Sequence, residues 1–115
     1  MVLDQTVIGE IEQVVGPDGY SVSPAVLYAY GFDASIYHNN PEVVVQPTTT
    51  EQVSALMKIA SKYHIPVVPR GAGTGLCGAA VPIKGGIVLA MQRMNKIVKL
   101  SVADLWVDVQ AGCVY

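Results

Sequence analysis

A glycine-rich segment, residues 70–78, holds the residue types in this chain that are best suited to binding an anion. It contains four glycines within nine residues and follows a predicted buried strand. Glycine lets successive backbone N–H groups converge on an anion and lets phosphate oxygens approach the backbone closely, and Thr74 adds a hydroxyl donor. The segment therefore predicts a phosphate-binding loop. The candidate cofactor-binding residues are Pro69, Arg70, Gly71, Ala72, Gly73, Thr74, Gly75 and Gly78.

Arg70 has two interpretations within this loop. Its guanidinium can pair with a phosphate, or it can close the loop by donating to backbone carbonyls. We favour the second role, because the backbone N–H groups of the loop can themselves supply the donors that an anion needs. A glycine-rich turn that binds no ligand stays open as the alternative for the whole segment.

Two common nucleotide-binding motifs do not fit this loop. Residues 73–78 match the spacing G-x-G-x-x-G, but a dinucleotide-binding fold also needs a helix that starts at the loop and an acidic residue about 20 positions later. Pro82 and the Gly85-Gly86 pair interrupt such a helix, and no carboxylate lies near Val98. A P-loop is excluded as well, because no Gly-Lys-Ser/Thr sequence follows.

Hydrophobic periodicity and cap residues predict the elements that position the loop. Helices are expected after Asp4, after Ser23-Pro24, and after a capping box in one of two registers, Thr48 with Glu51 or Thr49 with Gln52. Buried strands are predicted at residues 43–45, 65–69 and 86–90, with hairpin arms at 97–100 and 105–109. Strand, helix, strand in this order predicts a right-handed parallel crossover. We therefore expect an α+β fold with a small parallel sheet of about three strands, flanking helices and an antiparallel hairpin.

Composition excludes several classes of partner. The 115 residues are 51% hydrophobic and 14% charged, and the net charge is -2, so no basic excess draws the chain to nucleic acid or anionic lipid. No apolar run reaches the about 18 residues of a transmembrane helix, and the N-terminus lacks the features of a secretory signal. A cytoplasmic location is expected. Because the sequence stops directly after a predicted strand and a glycine turn, we expect a truncated domain whose apolar faces drive self-association.

The sequence gives no basis for assigning a catalytic group or a metal site to the remaining polar residues. Cys77 and Cys113 lack the spacing of a zinc or redox motif, and we expect Cys77 to be a small buried filler. His64 should interact with the dipole at a helix end, and His38 should lie in a surface loop. Asp33 has no acid–base partner that the sequence reveals.

Six short motifs in the last two thirds of the chain carry a resemblance to a known family. They are Val45-x-Pro47 with Glu51-x-Val53, residues 66–75, Gly78-Ala79-Ala80-x-Pro82, residues 85–89, Met94-Asn95-x-Ile97, and Val109-x-Ala111-Gly112. Together they resemble the start of the FAD-binding domain of the vanillyl-alcohol oxidase and p-cresol methylhydroxylase superfamily. The likeness is closest to the branch that contains the flavin-binding chain of glycolate oxidase and D-lactate dehydrogenase.

This resemblance implies that the loop holds the diphosphate of FAD. It divides the chain into an N-terminal helical segment, residues 1–37, and the incomplete first part of the FAD-binding domain, residues 38–115. Some relatives attach FAD through a histidine in the loop, and Thr74 stands at that position here, which implies non-covalent binding. The parent protein would oxidise a small 2-hydroxy acid, glycolate or D-lactate, to the 2-oxo acid.

Two other functions stay open from the sequence. One is the FAD-binding subunit of a molybdenum hydroxylase, which would share the cofactor. The other is a non-enzymatic module that binds a nucleotide or another anion.

Overall fold

The computed structural model describes residues 3–114 and is built around a four-stranded sheet. The helices are Gln5–Val15 (α1), Pro24–Ala29 (α2) and Thr50–Lys62 (α3); the strands are Tyr20–Ser21 (β1), Val43–Val45 (β2), Val67–Arg70 (β3), Ile87–Ala90 (β4), Ile97–Ser101 (β5) and Trp106–Val109 (β6). The sheet order is β1-β2-β4-β3, and β5 pairs with β6 in a separate hairpin. The predicted α+β class, with a small parallel sheet and an antiparallel hairpin, is confirmed.

Strand β4 lies between β2 and β3 and is parallel to both. The strand, helix, strand unit predicted from sequence is therefore parallel, but its two strands are not neighbours. Strand β1 adds an antiparallel edge beside β2, which the sequence analysis missed because two residues are too few to show a period.

Both faces of β2 and β4 are buried, which explains their continuous apolar sequences. On one face, the side chains of α1 and α3 pack against the sheet. This cluster consists of Val7, Ile11, Val43, Val45, Leu56, Ile59, Ala60, Ile65, Ile87 and Leu89. On the other face, Val44, Val88 and Ala90 pack against residues of α2 and Tyr30. Since α1 shares a core with the sheet, residues 1–37 and 38–115 are in contact, and their division into two units stays a prediction.

The helix starts follow the cap residues found in the sequence. The Asp4 carboxylate accepts from the Val7 N–H at 2.9 Å, and Gly16, with a φ of 79°, ends α1. At α3, the Thr49 hydroxyl accepts from the Gln52 N–H at 3.2 Å, which selects the second of the two predicted capping registers. Ser23 begins α2 without a side-chain hydrogen bond. Among residues 3–114, no helix is long and apolar enough to span a membrane.

Polar side chains join α1 to the end of α3 at the surface. Glu10 Oε1 accepts from Tyr63 Oη at 2.6 Å and from Lys62 Nζ at 2.9 Å. The hydrogen bond from Tyr63, followed by that from Lys62, holds the pKa of the Glu10 carboxyl below its usual value. The ionised form is therefore favoured in the folded protein.

We predict that Glu10→Gln lowers the melting temperature by a few degrees at pH 7 and much less at pH 3. The folded pKa of Glu10 lies below its unfolded value, so its contribution to stability is present above the ordinary pKa of a glutamate and is lost as the pH falls through the folded pKa. The melting temperatures of the wild-type protein and of Glu10→Gln, measured by circular dichroism at both pH values, test this. Asp108→Asn, an exposed change in the hairpin, is the control. An equal decrease of the melting temperature at both pH values would contradict a stabilising role for the ionised Glu10 carboxylate.

The hairpin formed by β5 and β6 exposes most of its apolar side chains. These are Ile97, Val98, Leu100, Val102, Leu105, Trp106, Val107 and Val109, and the most exposed, Leu105, keeps 89% of its surface accessible. All the residues of the arm 105–109 are exposed, so neither face of this arm is buried. A surface of this kind is typical of a contact with another polypeptide.

We predict that residues 1–115 self-associate through this hairpin. Light scattering should show an apparent mass that rises with concentration. Leu100 and Val107 are cross-strand partners, so changing both to threonine removes apolar surface while keeping residues that favour strands. The double variant should stay close to the monomer mass. A strictly monomeric wild-type chain at high concentration would refute the prediction.

Candidate cofactor-binding site

The glycine-rich loop lies at the carboxyl edge of the parallel sheet. Strand β3 ends at Arg70, and Gln46 and Gln92 follow β2 and β4. The Tyr30 hydroxyl accepts from Gln46 Nε2 at 3.4 Å and also from Gln92 Nε2. Tyr30 thus connects the ends of two strands beside the loop. Ligands of open α/β sheets bind at this edge.

Arg70 anchors the start of the loop to the segment that follows α2. Its Nη1 donates to the Phe32 carbonyl at 2.6 Å, and its Cζ lies 5.2 Å from the centre of the Tyr30 ring. The favoured interpretation, in which the guanidinium bonds a carbonyl, is confirmed. The carbonyl belongs to another segment rather than to the loop itself. The arrangement also leaves a positive charge beside the loop.

Gly73 is one of two loop glycines with a positive φ, 72° at Gly73 and 77° at Gly78, a conformation that favours glycine. A Cβ added to Gly73 would lie 2.1 Å from Nη2 of Arg70. The sequence predicted that glycine makes room here for an approaching phosphate. In the structure the Arg70 guanidinium already fills this space, so a side chain at position 73 would displace the arginine.

The backbone N–H groups of the loop are available for a ligand. Within residues 3–114, no backbone carbonyl accepts a hydrogen bond from the N–H groups of residues 71–80. Such a long run of N–H groups without carbonyl partners is unusual, because native backbone groups are nearly always paired with protein, water or ligand. The N–H groups of residues 71–74, which border two cavities, therefore offer the donor set that an anion needs.

Two cavities meet at Gly71 and Ala72. One has a volume of about 280 Å³ and is lined by Tyr30, Arg70, Gly71, Ala72, Gln92, Gly112 and Val114. The other has a volume of about 430 Å³ and is lined by Gly71, Ala72, Thr74, Ala111, Gly112, Cys113 and Val114. Of the candidate residues, Arg70, Gly71, Ala72 and Thr74 therefore face a cavity.

The other candidate residues lie outside these two cavities. Pro69 is an exposed residue of β3, and Gly73 lies against Arg70. The Gly75 carbonyl accepts from the Ala34 N–H at 2.9 Å. Gly78 is buried, and a Cβ added to it would lie 3.0 Å from the Tyr37 ring. Their contacts with cofactor stay predictions.

Gly112 forms the opposite wall of both cavities and was not among the residues selected from sequence. A Cβ there would lie 1.8 Å from the Met91 carbonyl oxygen, and the Gly112 N–H donates to the Met94 carbonyl at 2.8 Å. This close approach holds the end of the hairpin against the end of β4. The signal available in the sequence was the Ala111-Gly112 turn directly after a predicted strand.

The prediction that Cys77 is a buried filler is wrong. Cys77 is exposed, as are its neighbours Leu76 and Gly75. The physical reason is that Gly78, rather than Cys77, returns the chain to the interior. Cys77 lines neither cavity beside the loop.

The two histidines lie away from the cavities. His38 is exposed and packs 4.9 Å from the Tyr28 ring, which confirms the predicted surface loop. His64 follows the end of α3, as expected, and its N–H donates to the Ser61 carbonyl. In the described part of the chain, no group of three or more His, Cys, Asp or Glu side chains could hold a metal ion.

Asp33 is a buried carboxylate beneath the loop, which the sequence did not reveal. It is 7% exposed, and its Oδ1 accepts from the Ser35 N–H at 2.8 Å. Hydrogen bonds from the Ser35 side chain and backbone hold the pKa of Asp33 below its usual value, and the backbone N–H groups of Ala80 and Gly78 lower that pKa further. The charged form is therefore favoured beside the loop.

A family model described as an FAD binding domain matches residues 41–115. The chain belongs to this FAD-binding domain family. The cofactor is therefore FAD, and the resemblance found in the sequence is confirmed. The match includes the whole glycine-rich loop and the hairpin, whereas Tyr30, which lines one of the two cavities, precedes it.

Curated relatives come from the branch that the sequence motifs indicated. Glycolate oxidase subunit GlcD of Bacillus subtilis is 37% identical over 106 residues, which cover 91% of this chain and 23% of that protein. The probable mitochondrial D-lactate dehydrogenase of Danio rerio is 38% identical over 109 residues, or 94% of this chain and 22% of that protein. The chain thus spans less than a quarter of the length of these relatives.

Solved structures share the fold of this FAD-binding domain. A p-cresol methylhydroxylase with substrate bound has a TM-score of 0.86 at 25% identity, over 97% of this chain and 23% of that one. An alkyldihydroxyacetonephosphate synthase has a TM-score of 0.86 at 23% identity, over 96% of this chain and 25% of that one. The predicted fold of the p-cresol methylhydroxylase type is confirmed.

We predict that Gly73→Val reduces FAD affinity about tenfold or more, which corresponds to about 1.4 kcal/mol. Valine opposes a φ of 72° and collides with the Arg70 guanidinium, so both the loop and the arginine must move. The measurement is the flavin-to-protein absorbance ratio after gel filtration of the full reading frame that contains residues 1–115. Circular dichroism must first show that the variant is folded.

Two further variants make this loop experiment specific. Cys77→Ala should leave flavin retention unchanged, because Cys77 is exposed and lines neither cavity. Gly71→Ala places a methyl group where no protein atom lies within 4 Å, and it should weaken FAD binding without affecting Arg70. Full flavin retention in folded Gly73→Val and Gly71→Ala would mean that this loop does not hold the diphosphate.

Proposed function

We propose that the protein is part of an FAD-dependent oxidoreductase that converts a 2-hydroxy acid, glycolate or D-lactate, into the 2-oxo acid. In this proposal the loop from Pro69 to Gly75, with Gly78, holds the FAD diphosphate. The observation that carries the binding of the diphosphate is the run of backbone N–H groups from 71 to 74, without carbonyl partners, at the junction of two cavities.

The residues around the loop fit a diphosphate in charge and in space. A diphosphate is anionic and needs several donors, which the N–H groups and the Thr74 hydroxyl provide. The Arg70 guanidinium adds a fixed positive charge. At Gly71, a Cβ would find no protein atom within 4 Å, so a ligand oxygen has room to approach the backbone.

The contribution of this chain to the chemistry is to bind and orient the cofactor. Bound FAD supplies the acceptor for the hydride that leaves the 2-hydroxy acid. Thr74 occupies the position at which some relatives attach the flavin through histidine, which supports non-covalent binding here. No residue of this chain is assigned to the proton transfer that must accompany hydride loss.

The substrate class rests on the relatives. They are named as a glycolate oxidase subunit and as D-lactate dehydrogenases, and glycolate and D-lactate are both 2-hydroxy acids. A cytoplasmic location is also part of the proposal, and the two free cysteines support it. The net charge of -2 is consistent with small-molecule substrates and gives no basis for nucleic acid binding.

We predict that the full reading frame containing residues 1–115, loaded with FAD, reduces an artificial dye with glycolate or D-lactate and far more slowly with L-lactate. Residues 1–115 alone, supplied with FAD, should give no rate above a protein-free control. The dye absorbance reports both reactions.

The outcomes of this assay separate the proposed functions. Flavin binding without turnover of either acid would remove the 2-hydroxy acid proposal and favour another FAD-containing enzyme, such as a subunit of a molybdenum hydroxylase. Absence of flavin binding would favour a module for another anion. Activity of residues 1–115 alone would show that substrate contacts lie within them.

A further inference from the structure

Residues 32–35, which we call the loop floor, lie beneath the glycine-rich loop and are joined to it at two points. The Phe32 carbonyl accepts from Arg70 at the start of the loop, and the Ala34 N–H donates to the Gly75 carbonyl at its middle. Asp33 stands between these two contacts in the sequence. The floor therefore fixes the loop from one side while the cavities lie at residues 70–74.

The Asp33 carboxylate is enclosed between the floor and the second half of the loop. Its Oδ2 is buried and has no hydrogen-bond partner among the described residues, and it lies 4.0 Å from the point where a Cβ on Gly75 would be. Asp33 also makes no ion pair in this part of the chain. Burying a carboxylate without a cation is costly unless hydrogen-bond donors compensate for the lost water.

The donors that face this carboxylate belong to the loop. The N–H groups of Gly78 and Ala80 are close enough to lower its pKa, and no backbone carbonyl accepts from them. The loop thus directs part of its donor set at an anion that belongs to the protein. The first half of the loop, residues 71–74, borders both cavities. No backbone carbonyl accepts from the N–H groups of this half.

We infer that Asp33 is a positioning residue of the diphosphate loop. Its carboxylate faces the N–H groups of Gly78 and Ala80 as an internal anion, and so leaves the N–H groups of the first half, residues 71–74, in place for the external one. The inference rests on the proposed binding of FAD. It implies that the geometry of the diphosphate site depends on a carboxylate that never contacts the cofactor.

Asp33→Asn tests the inference with little change in shape. The amide oxygen can still accept from the Ser35 N–H, but the amide nitrogen would present hydrogens to the donors of Gly78 and Ala80. We expect the dissociation constants of FAD and of ADP, which both contain the diphosphate, to rise by the same factor of about ten. Flavin fluorescence and calorimetric titrations of the deflavinated full reading frame measure them. Unchanged or tighter binding of FAD and ADP overturns the inference. If Asp33 acted only through its negative charge, its removal would strengthen the binding of an anionic diphosphate.

Amide hydrogen exchange distinguishes positioning from a general loss of stability. In the wild-type protein without ligand, the N–H groups of Gly78 and Ala80 should exchange more slowly than those of Gly71 and Ala72. Binding of FAD should slow hydrogen exchange at the N–H groups of Gly71 and Ala72. In Asp33→Asn, exchange should increase at Gly78 and Ala80 while α1 and α3 keep their protection. The reverse order in the wild-type protein overturns the inference even if the variant does not fold.

Ser35→Ala is a milder second variant, because it keeps the Asp33 carboxylate and the Ser35 N–H that donates to it. It removes the hydroxyl that helps to lower the pKa of Asp33 and that accepts from the Tyr37 N–H at 3.2 Å. It should give a smaller rise in both dissociation constants, and no rise would count against the inference. Glu10→Gln, on the far helix, should leave both constants unchanged. Failure of the proposed binding of FAD to this loop is distinguishable, because the wild-type protein would then bind neither FAD nor ADP.

Discussion

Burial of β4 between two parallel neighbours is the constraint on which the rest of the structure depends. Both faces of this strand are apolar, so helices must cover the sheet on each side, as α1 with α3 and α2 do. Because β3 and β4 run in the same direction, their carboxyl ends lie at one edge. The chain that leaves β3 at this edge must therefore return to the opposite edge of the sheet, where β4 begins. The glycine-rich loop is the first part of this connection.

The local elements could be predicted from the sequence, whereas their arrangement could not. The caps at Asp4 and Thr49 and the apolar runs of β2 and β4 are signals within a few residues of one another, and they were interpreted correctly. Strand order depends on which apolar runs pair across the chain, which no local pattern encodes. Residue Cys77 shows the same limit, because composition favoured a buried thiol while the path of the loop placed it outside.

The candidate site was found in part for the same reason. Glycines in series after a strand identify a loop that can bind an anion, and this signal is local. Asp33 and Gly112 belong to the site through contacts between distant segments. No sequence signal pointed to Asp33, and for Gly112 the only signal was the turn that follows a predicted strand. A site built largely from backbone N–H groups also tolerates changes of side chain.

The contact between Gly112 and the Met91 carbonyl means that the hairpin is an excursion whose two ends touch. Backbone hydrogen bonds from Gly112 to Met94 and from Gln110 to Lys96 close its base. The sheet is therefore affected by residues 96–110 much as it would be by a short turn. Insertions, deletions or replacement within this excursion change a closed loop whose entropy varies slowly with length. The hairpin is thus a segment that evolution can remodel, or a protein engineer can exchange, without altering the path of the chain through the sheet.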